Sequence, residues 1–236
     1  MDALLLDIVN QFQLEGKAVS CEIFGCGHVN KTYLVTTDTG HRYTLQRIGS
    51  AFKDVHALQE NISAIVTHLH KKTTDVYGAL TLRVTHNDTK LNNVMFRASD
   101  RTPLCVMDLD TTMPGLSAYD YGDAIRFGAS TAAEDEKDLN KVWMDLELFR
   151  LFTKGFLEAC PGLTDTEKEV LPLGAYTMTL ECGMRFLTDY IDGDNYFGVH
   201  YPDQNLDRCR TQFKLVADME TKWEDMHRIV KEYDQK

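Results

Sequence analysis

The sequence has no Cys-x-x-Cys pair, and its six cysteines, Cys21, Cys26, Cys105, Cys160, Cys182 and Cys209, lie far apart. In a chain of 236 residues this excludes a zinc clip or a disulfide frame. It predicts reduced, mostly buried thiols in a cytoplasmic protein. Basic residues are the minority, 25 Lys and Arg against 36 Asp and Glu, for a formal net charge of −11. That balance argues against nucleic acid or an anionic membrane as a partner. No apolar run approaches the length of a membrane span. The opening "MDALLLDIVNQF" lacks a basic flank, so it reads as a short amphipathic helix rather than a signal peptide. Internal repeats and low-complexity stretches are absent as well. What is present is a core, because hydrophobic residues make up 43% of the chain. The length suits one large domain or two small lobes.

Strand patterns come first. They cover Ala18–Phe24, Lys31–Thr37 and His41–Ile48, the last two joined by the turn "TDTG", where Gly40 is free to take positive φ. Apolar residues from Val55 to Leu69 recur at threes and fours, which predicts a helix ending near Lys72 and capped by Asp54. Thr73–Ala79 is a short polar connection, and Leu104–Met107 is another short strand. From about Tyr119 the pattern is helical. One stripe runs Val142, Leu146, Phe149, Phe152, Phe156, and a capping box pairs Thr164 with Glu167. Pro172 suits the first turn of a further helix with Leu173, Leu180, Met184, Leu187 and Ile191 inward. A long final helix is expected from Leu206 to Val230. The class is α+β, strands before helices.

Four segments carry chemistry. His86-x-Asp88-x-x-x-x-Asn93 has the spacing of a kinase catalytic loop. The acid reaches a substrate hydroxyl, the amide five residues on turns back to hold Mg²⁺, and the histidine braces the backbone. A polar turn that satisfies its own backbone is the plain alternative. "LCVMDLD" ends an apolar strand in two acids, which suits Asp108 as the main Mg²⁺ ligand. Alternation along an extended chain would bring Asp110 to the same side, to help hold a second metal. In "FGCGHVNKTYLVTT", Gly25 and Gly27 lie in a turn that can lay backbone N–H groups over phosphates, although a tight hairpin alone explains the pair. The third strand, "RYTLQRI", has no lysine for the phosphates. Arg47 is the nearest cation, Gln46 its neighbour and Glu60 its candidate partner.

The strings "GCGHVNKTYLVTT", "YTLQRI", "THNDTKLNNVMF", "VMDLDTTMPGLSAYDYGDAIRFGA" and "LECGMRFLTDYIDGDNYF" together resemble the N-acetylhexosamine 1-kinases, over nearly all of the chain and in the family's order. Those enzymes belong to the aminoglycoside phosphotransferase and choline kinase group of protein-kinase-like folds. The resemblance implies ATP and Mg²⁺ as cofactors and phosphorylation of the anomeric hydroxyl of N-acetylglucosamine or N-acetylgalactosamine. It implies Asp88 as the base, Asn93 and Asp108 as metal ligands, and Gly25, Gly27 and His28 in the nucleotide loop. Arg185 and Tyr196 match sugar contacts, and Asp120 and Asp123 match positions that brace the catalytic loop. Helix-surface pairing with Glu181 and Asp189 also accounts for Arg185.

In the resembled fold, two more strands, a hinge and helices separate that helix from the catalytic loop. Here Thr73–Ala79 stands in their place. The expected architecture is therefore a partial small β-rich lobe over residues 1–78 and a larger, mainly helical catalytic and sugar-binding lobe over residues 79–236. Apolar surface left uncovered by the shortening would favour association. Two rival readings follow. One is a remnant that binds sugar, nucleotide or a partner without turnover. The other is a kinase for choline or an aminoglycoside, which would need an acid-rich cleft. The "GMRFLTDY" stretch favours the sugar kinase.

Overall fold

In the computed structural model, residues 3–24, 31–47 and 80–234 are described. The glycine turn with Gly25, Gly27 and His28, the expected helix with Glu60, the Thr73–Ala79 connection and the lobe boundary near residue 78 lie outside them. The chain divides into two compact units, one of Met1–Leu58 with Asp194–Val199, the other of Gln59–Gly193 with His200–Lys236.

The first unit is built on period-2 burial. Strands β1 (Ala18–Ile23), β2 (Lys31–Thr37) and β3 (Arg42–Arg47) form one antiparallel sheet in that order. Along β2, Tyr33, Val35 and Thr37 are buried while Leu34 and Thr36 are less so. Tyr33 faces Ile23 on one side and Leu45 on the other, and Val35 faces Cys21 and Tyr43. A short helix, α1 (Ala3–Val9), adds Val9, Leu5 and Leu6 to this small core. Gly40, at φ +82°, makes the β2–β3 turn, as expected for a conformation that costs other residues a Cβ clash. Arg47 closes β3, and nothing beyond its backbone is described.

The second unit opens with two strand pairs. Strand β4 (Arg83–Thr85) pairs with β7 (Met113–Gly115), and β5 (Val94–Phe96) pairs with β6 (Pro103–Val106), both antiparallel. Helices follow: α2 (Ser117–Gly128), α3 (Leu146–Ala159), α4 (Asp165–Glu169), α5 (Leu171–Ile191), α6 (Gln204–Thr221) and α7 (Trp223–Asp234). Their core gathers Tyr121, Ile125, Phe149, Leu171, Leu215, Met219 and Met226. The capping box is present, with the Thr164 hydroxyl accepting from the Glu167 amide and the Glu167 carboxylate accepting from the Thr164 amide.

Three helical expectations need correction. Val142 is buried but precedes α3, which starts after Asp145 because that carboxylate accepts from the amides of Glu147 and Leu148. The single final helix is two helices. At Lys222 the backbone turns to φ −107°, ψ 11°, and its ammonium bonds the Met144 carbonyl and Asp218 instead of pointing to water. On α5 the inward side is Leu171, Ala175, Thr179, Cys182 and Phe186, while Met184 and Ile191 are 50% and 75% exposed. Close packing decides this. A Cβ on Gly122 of α2 would stand 2.2 Å from the Gly174 carbonyl oxygen, and one on Gly174 would stand 2.3 Å from that of Ala118. Backbone contact at such range selects small residues, Gly174 and Ala175, where α2 crosses, and the stripe that follows them leaves Met184 and Ile191 outside.

Among the described residues no helix is long and apolar enough to cross a membrane. Cys21, Cys105, Cys160, Cys182 and Cys209 are free thiols, with Cys21, Cys182 and Cys209 buried and Cys105 exposed. Burial pushes the Cys182 thiol up to about 12, which keeps it protonated and inert at neutral pH.

Candidate functional site

The segment between β4 and β5 is held by its own backbone and by α2. The Asp120 carboxylate, one turn into α2, accepts the His86 amide at 2.8 Å and the Asn87 amide at 2.7 Å, one on each oxygen. The Thr89 hydroxyl donates to the Asp120 carbonyl. The Thr111 hydroxyl donates to the His86 carbonyl at 2.6 Å, and the Asn87 side-chain amide donates to the Thr111 carbonyl at 3.0 Å. Asn87 itself sits at φ 63°, a left-handed conformation that asparagine tolerates better than most side chains. Gly115 lets the neighbouring strand approach, since a Cβ there would stand 2.3 Å from the Thr85 hydroxyl.

His86 is fixed at both nitrogens. Its Nδ1 lies 3.2 Å from the Asp88 amide, which can only donate, so Nδ1 accepts. Nε2 then carries the hydrogen and donates to the Met107 carbonyl at 2.8 Å. One imidazole therefore ties the acid's backbone to the segment that carries Asp108.

Asp88 is oriented by its neighbours. Its Oδ2 accepts from Asn93 Nδ2 at 2.7 Å and lies 3.1 Å from Lys90 Nζ. Among the described residues nothing hydrogen-bonds its Oδ1. Asn93 also donates Nδ2 to the Asp88 carbonyl at 2.8 Å, so both hydrogens of that amide are spent on Asp88 and its oxygen is turned the other way. Burial pulls the Lys90 ammonium towards its neutral form. The Asp88 carboxylate, with Asp123 and Glu134 behind it, outweighs burial and holds the pKa above its ordinary value.

Asp108 is brought beside Asn93 by the β5–β6 ladder, because the Met107 amide donates to the Asn93 carbonyl at 2.8 Å. The expected alternation of Asp108 and Asp110 along an extended chain does not hold. Asp108 takes φ 62°, ψ 55°, and Leu109–Thr111 form a 3₁₀ turn, which rotates Asp110 to an exposed position. The oxygen donors at hand, the Asn93 amide and the Asp108 carboxylate, are hard ligands of the kind Mg²⁺ takes when phosphates complete its shell. Among the described residues no three His, Cys, Asp or Glu side chains group to hold a metal by themselves.

The remaining sequence-derived residues have other recorded partners. Asp123 accepts from Arg126, whose Nε is 2.9 Å from its Oδ1, rather than from the loop, and its buried Oδ2 has no hydrogen-bond partner among the described residues. Arg126 continues to Glu134 at 2.6 Å. Arg185 is exposed on α5, with Glu181 at 3.7 Å one turn before it. Tyr196 is half-buried and edge-on to Phe197, with ring centroids 4.8 Å apart, within the segment Asp194–Val199 that belongs to the first unit. Sequence reasoning passed over Thr85, Thr89 and Thr111. Their one available signal is that threonines crowd both approaches to the acid.

Residues 42–143 match the family model described as the phosphotransferase enzyme family, APH. The match covers less than half of the chain and is a likeness to that family over those residues. It takes in the loop, Asn93, Asp108 and Asp120, and leaves out Gly25, Gly27, His28, Arg185 and Tyr196.

Proposed function

From a loop, amide and acid that all fall within a phosphotransferase-family match, we propose that this chain transfers the γ-phosphoryl group of ATP to the anomeric hydroxyl of an N-acetylhexosamine. The observation that carries the proposal is the state of Asp88. One carboxylate oxygen is pinned by Asn93 and Lys90, and the other is left to accept a hydroxyl proton. Phosphoryl transfer asks little of a protein beyond position and charge, and a carboxylate held in one orientation supplies the first. Asn93 and Asp108 would hold Mg²⁺, whose charge neutralises the phosphates when it is bound. The glycine turn with Gly25, Gly27 and His28 and the cation of Arg47 are the proposed nucleotide contacts, with Arg185 and Tyr196 for the sugar.

Lys90 bears on the acceptor. A half-buried ammonium 3.1 Å from the base places positive charge where choline or an aminoglycoside would bring more. Like charges so close cost several kcal/mol in an interface, roughly. A neutral sugar hydroxyl meets no such barrier. Val84, Val106 and Leu109, exposed at 83%, 54% and 61%, leave apolar surface on the second unit, in keeping with a shortened chain. The free thiols accord with a cytoplasmic setting.

ADP release with ATP, Mg²⁺ and either N-acetylglucosamine or N-acetylgalactosamine tests the reading. Asp88→Asn should lower turnover by about 100- to 10,000-fold, the usual worth of a positioned base. Binding of sugar or nucleotide without ADP release would show a remnant. Turnover with choline or an aminoglycoside alone would overturn the sugar assignment.

A further inference from the structure

Glu167 closes a capping box, but its partners reach well beyond the box. The side chain is almost fully buried, at 2% exposed. Oε1 accepts from Arg83 Nε at 2.6 Å and from the Ser117 hydroxyl at 3.1 Å. Oε2 accepts from Arg83 Nη2 at 2.7 Å and from the Thr164 amide at 2.8 Å. Only the last of these belongs to the cap. Arg83 also donates Nη2 to the Gly162 carbonyl at 2.5 Å, so the guanidinium fork is held by Glu167 on α4 and, through Nη2, by the α3–α4 connection.

The other partners frame the catalytic loop. Arg83 opens β4 and stands three residues before His86; Ser117 opens α2 and stands three residues before Asp120. The His86 amide and Asp120 are themselves bonded at 2.8 Å. Strand and helix thus diverge from Glu167 and meet again at the loop. Among the described residues, β7, which pairs Arg83 with Gly115, these two carboxylates and the Thr89 hydroxyl tie strand, loop and helix together. A forked, charge-assisted pair fixes angle as well as distance.

We propose that Glu167 is a positioning residue for phosphoryl transfer. It sets the spacing of β4 and the start of α2 at which Asp120 grips the His86 and Asn87 amides, and so sets the Asp88 carboxylate. The proposal rests on the phosphotransferase reading for its kinetic consequence. Its structural consequence, the hold on two named amides, stands independently of that reading. Glu167→Gln keeps the shape but turns an NH₂ against donors of Arg83 or Thr164, so one arm of the clamp opens.

The test uses the full chain with Glu167→Gln and, separately, Arg83→Lys, which keeps the charge and loses the fork at a side chain 32% exposed. Hydrogen exchange is followed at the His86 and Asn87 amides, with β2–β3 amides as the internal reference. Steady-state ADP release is measured on the same samples. In both variants the two loop amides should exchange at least about tenfold faster while the reference amides stay put. The kcat should fall by roughly 10- to 100-fold with KM within about twofold, as expected for misplacement of a reacting group rather than loss of binding. Unchanged loop amides, exchange that rises equally everywhere, or a change in KM alone would overturn the proposal. If the wild-type chain shows no turnover, the kinase reading fails, and amide exchange alone decides the clamp. Should Glu167→Gln not fold, Arg83→Lys carries both readouts.

Discussion

Asp120 shows how much of a site can hang on one side chain. Each of its oxygens takes a backbone N–H of the loop, from His86 and from Asn87. Replacing it by asparagine keeps the volume and turns one acceptor into a donor that faces another donor. Asp120→Asn should therefore cost about 1–3 kcal/mol of stability, read from urea unfolding. At this scale the sequence spacing was informative for His86, Asp88 and Asn93, because the turn between them sets the imidazole against the Asp88 amide and the Asn93 amide against the Asp88 carboxylate. It said nothing of Thr85, Thr89 or Thr111, whose hydroxyls bond main-chain carbonyls. Nor did it show that Asp123 turns to Arg126. Those partners are set by which strand or helix passes nearby, and adjacency in the chain does not encode it.

Among the elements, the three strands of the first sheet and the core stripes of α3, α6 and α7 were legible, and the buried face of α5 was not. Alternation along Lys31–Thr37 predicts a half-buried strand, and the sheet has that strand with the expected bounds. On α5 the apolar periodicity pointed to Met184 and Ile191, but the buried stripe follows Gly174 and Gly183. A hydrophobicity pattern assumes one neighbour at ordinary distance. Here α2 presses against one side at backbone range, and the Phe213 ring of α6 lies 2.8 Å from where a Cβ on Gly183 would stand. Gly174→Ala should destabilise the chain by about 1–3 kcal/mol, the usual cost of overpacking a core, while the exposed Met184→Ala should change little. Thermal melting of the two variants side by side checks this.

At the scale of the whole molecule, acidity limits stability through Glu167. The side-chain hydrogen bonds from Arg83 come first, ahead of opposing burial, and hold its carboxyl down to about 2. A carboxylate with a lowered folded-state pKa binds fewer protons than its unfolded counterpart. Its contribution is complete above the ordinary glutamate value of 4.5 and is lost as pH falls from there towards 2. Melting temperature against pH should drop across that window in the wild-type chain and less steeply in Glu167→Gln. The difference between the two curves is the measurement. With a formal charge of −11 the chain carries many other acids, so only that difference isolates this one.

The contact between α2 and α5 also bears on motion. Helices that meet through side chains slide and rock by small rotamer changes, each cheap and fast. Where Gly122 and Gly174 bring backbones together there are no rotamers to spend, and relative movement must lift one helix off the other. Asp120 rides on that joined pair, two residues before Gly122. The segment it grips therefore has a stiff mount. Its amides should fluctuate on the slow timescale of local opening rather than the nanoseconds of an ordinary surface loop, roughly microseconds to seconds.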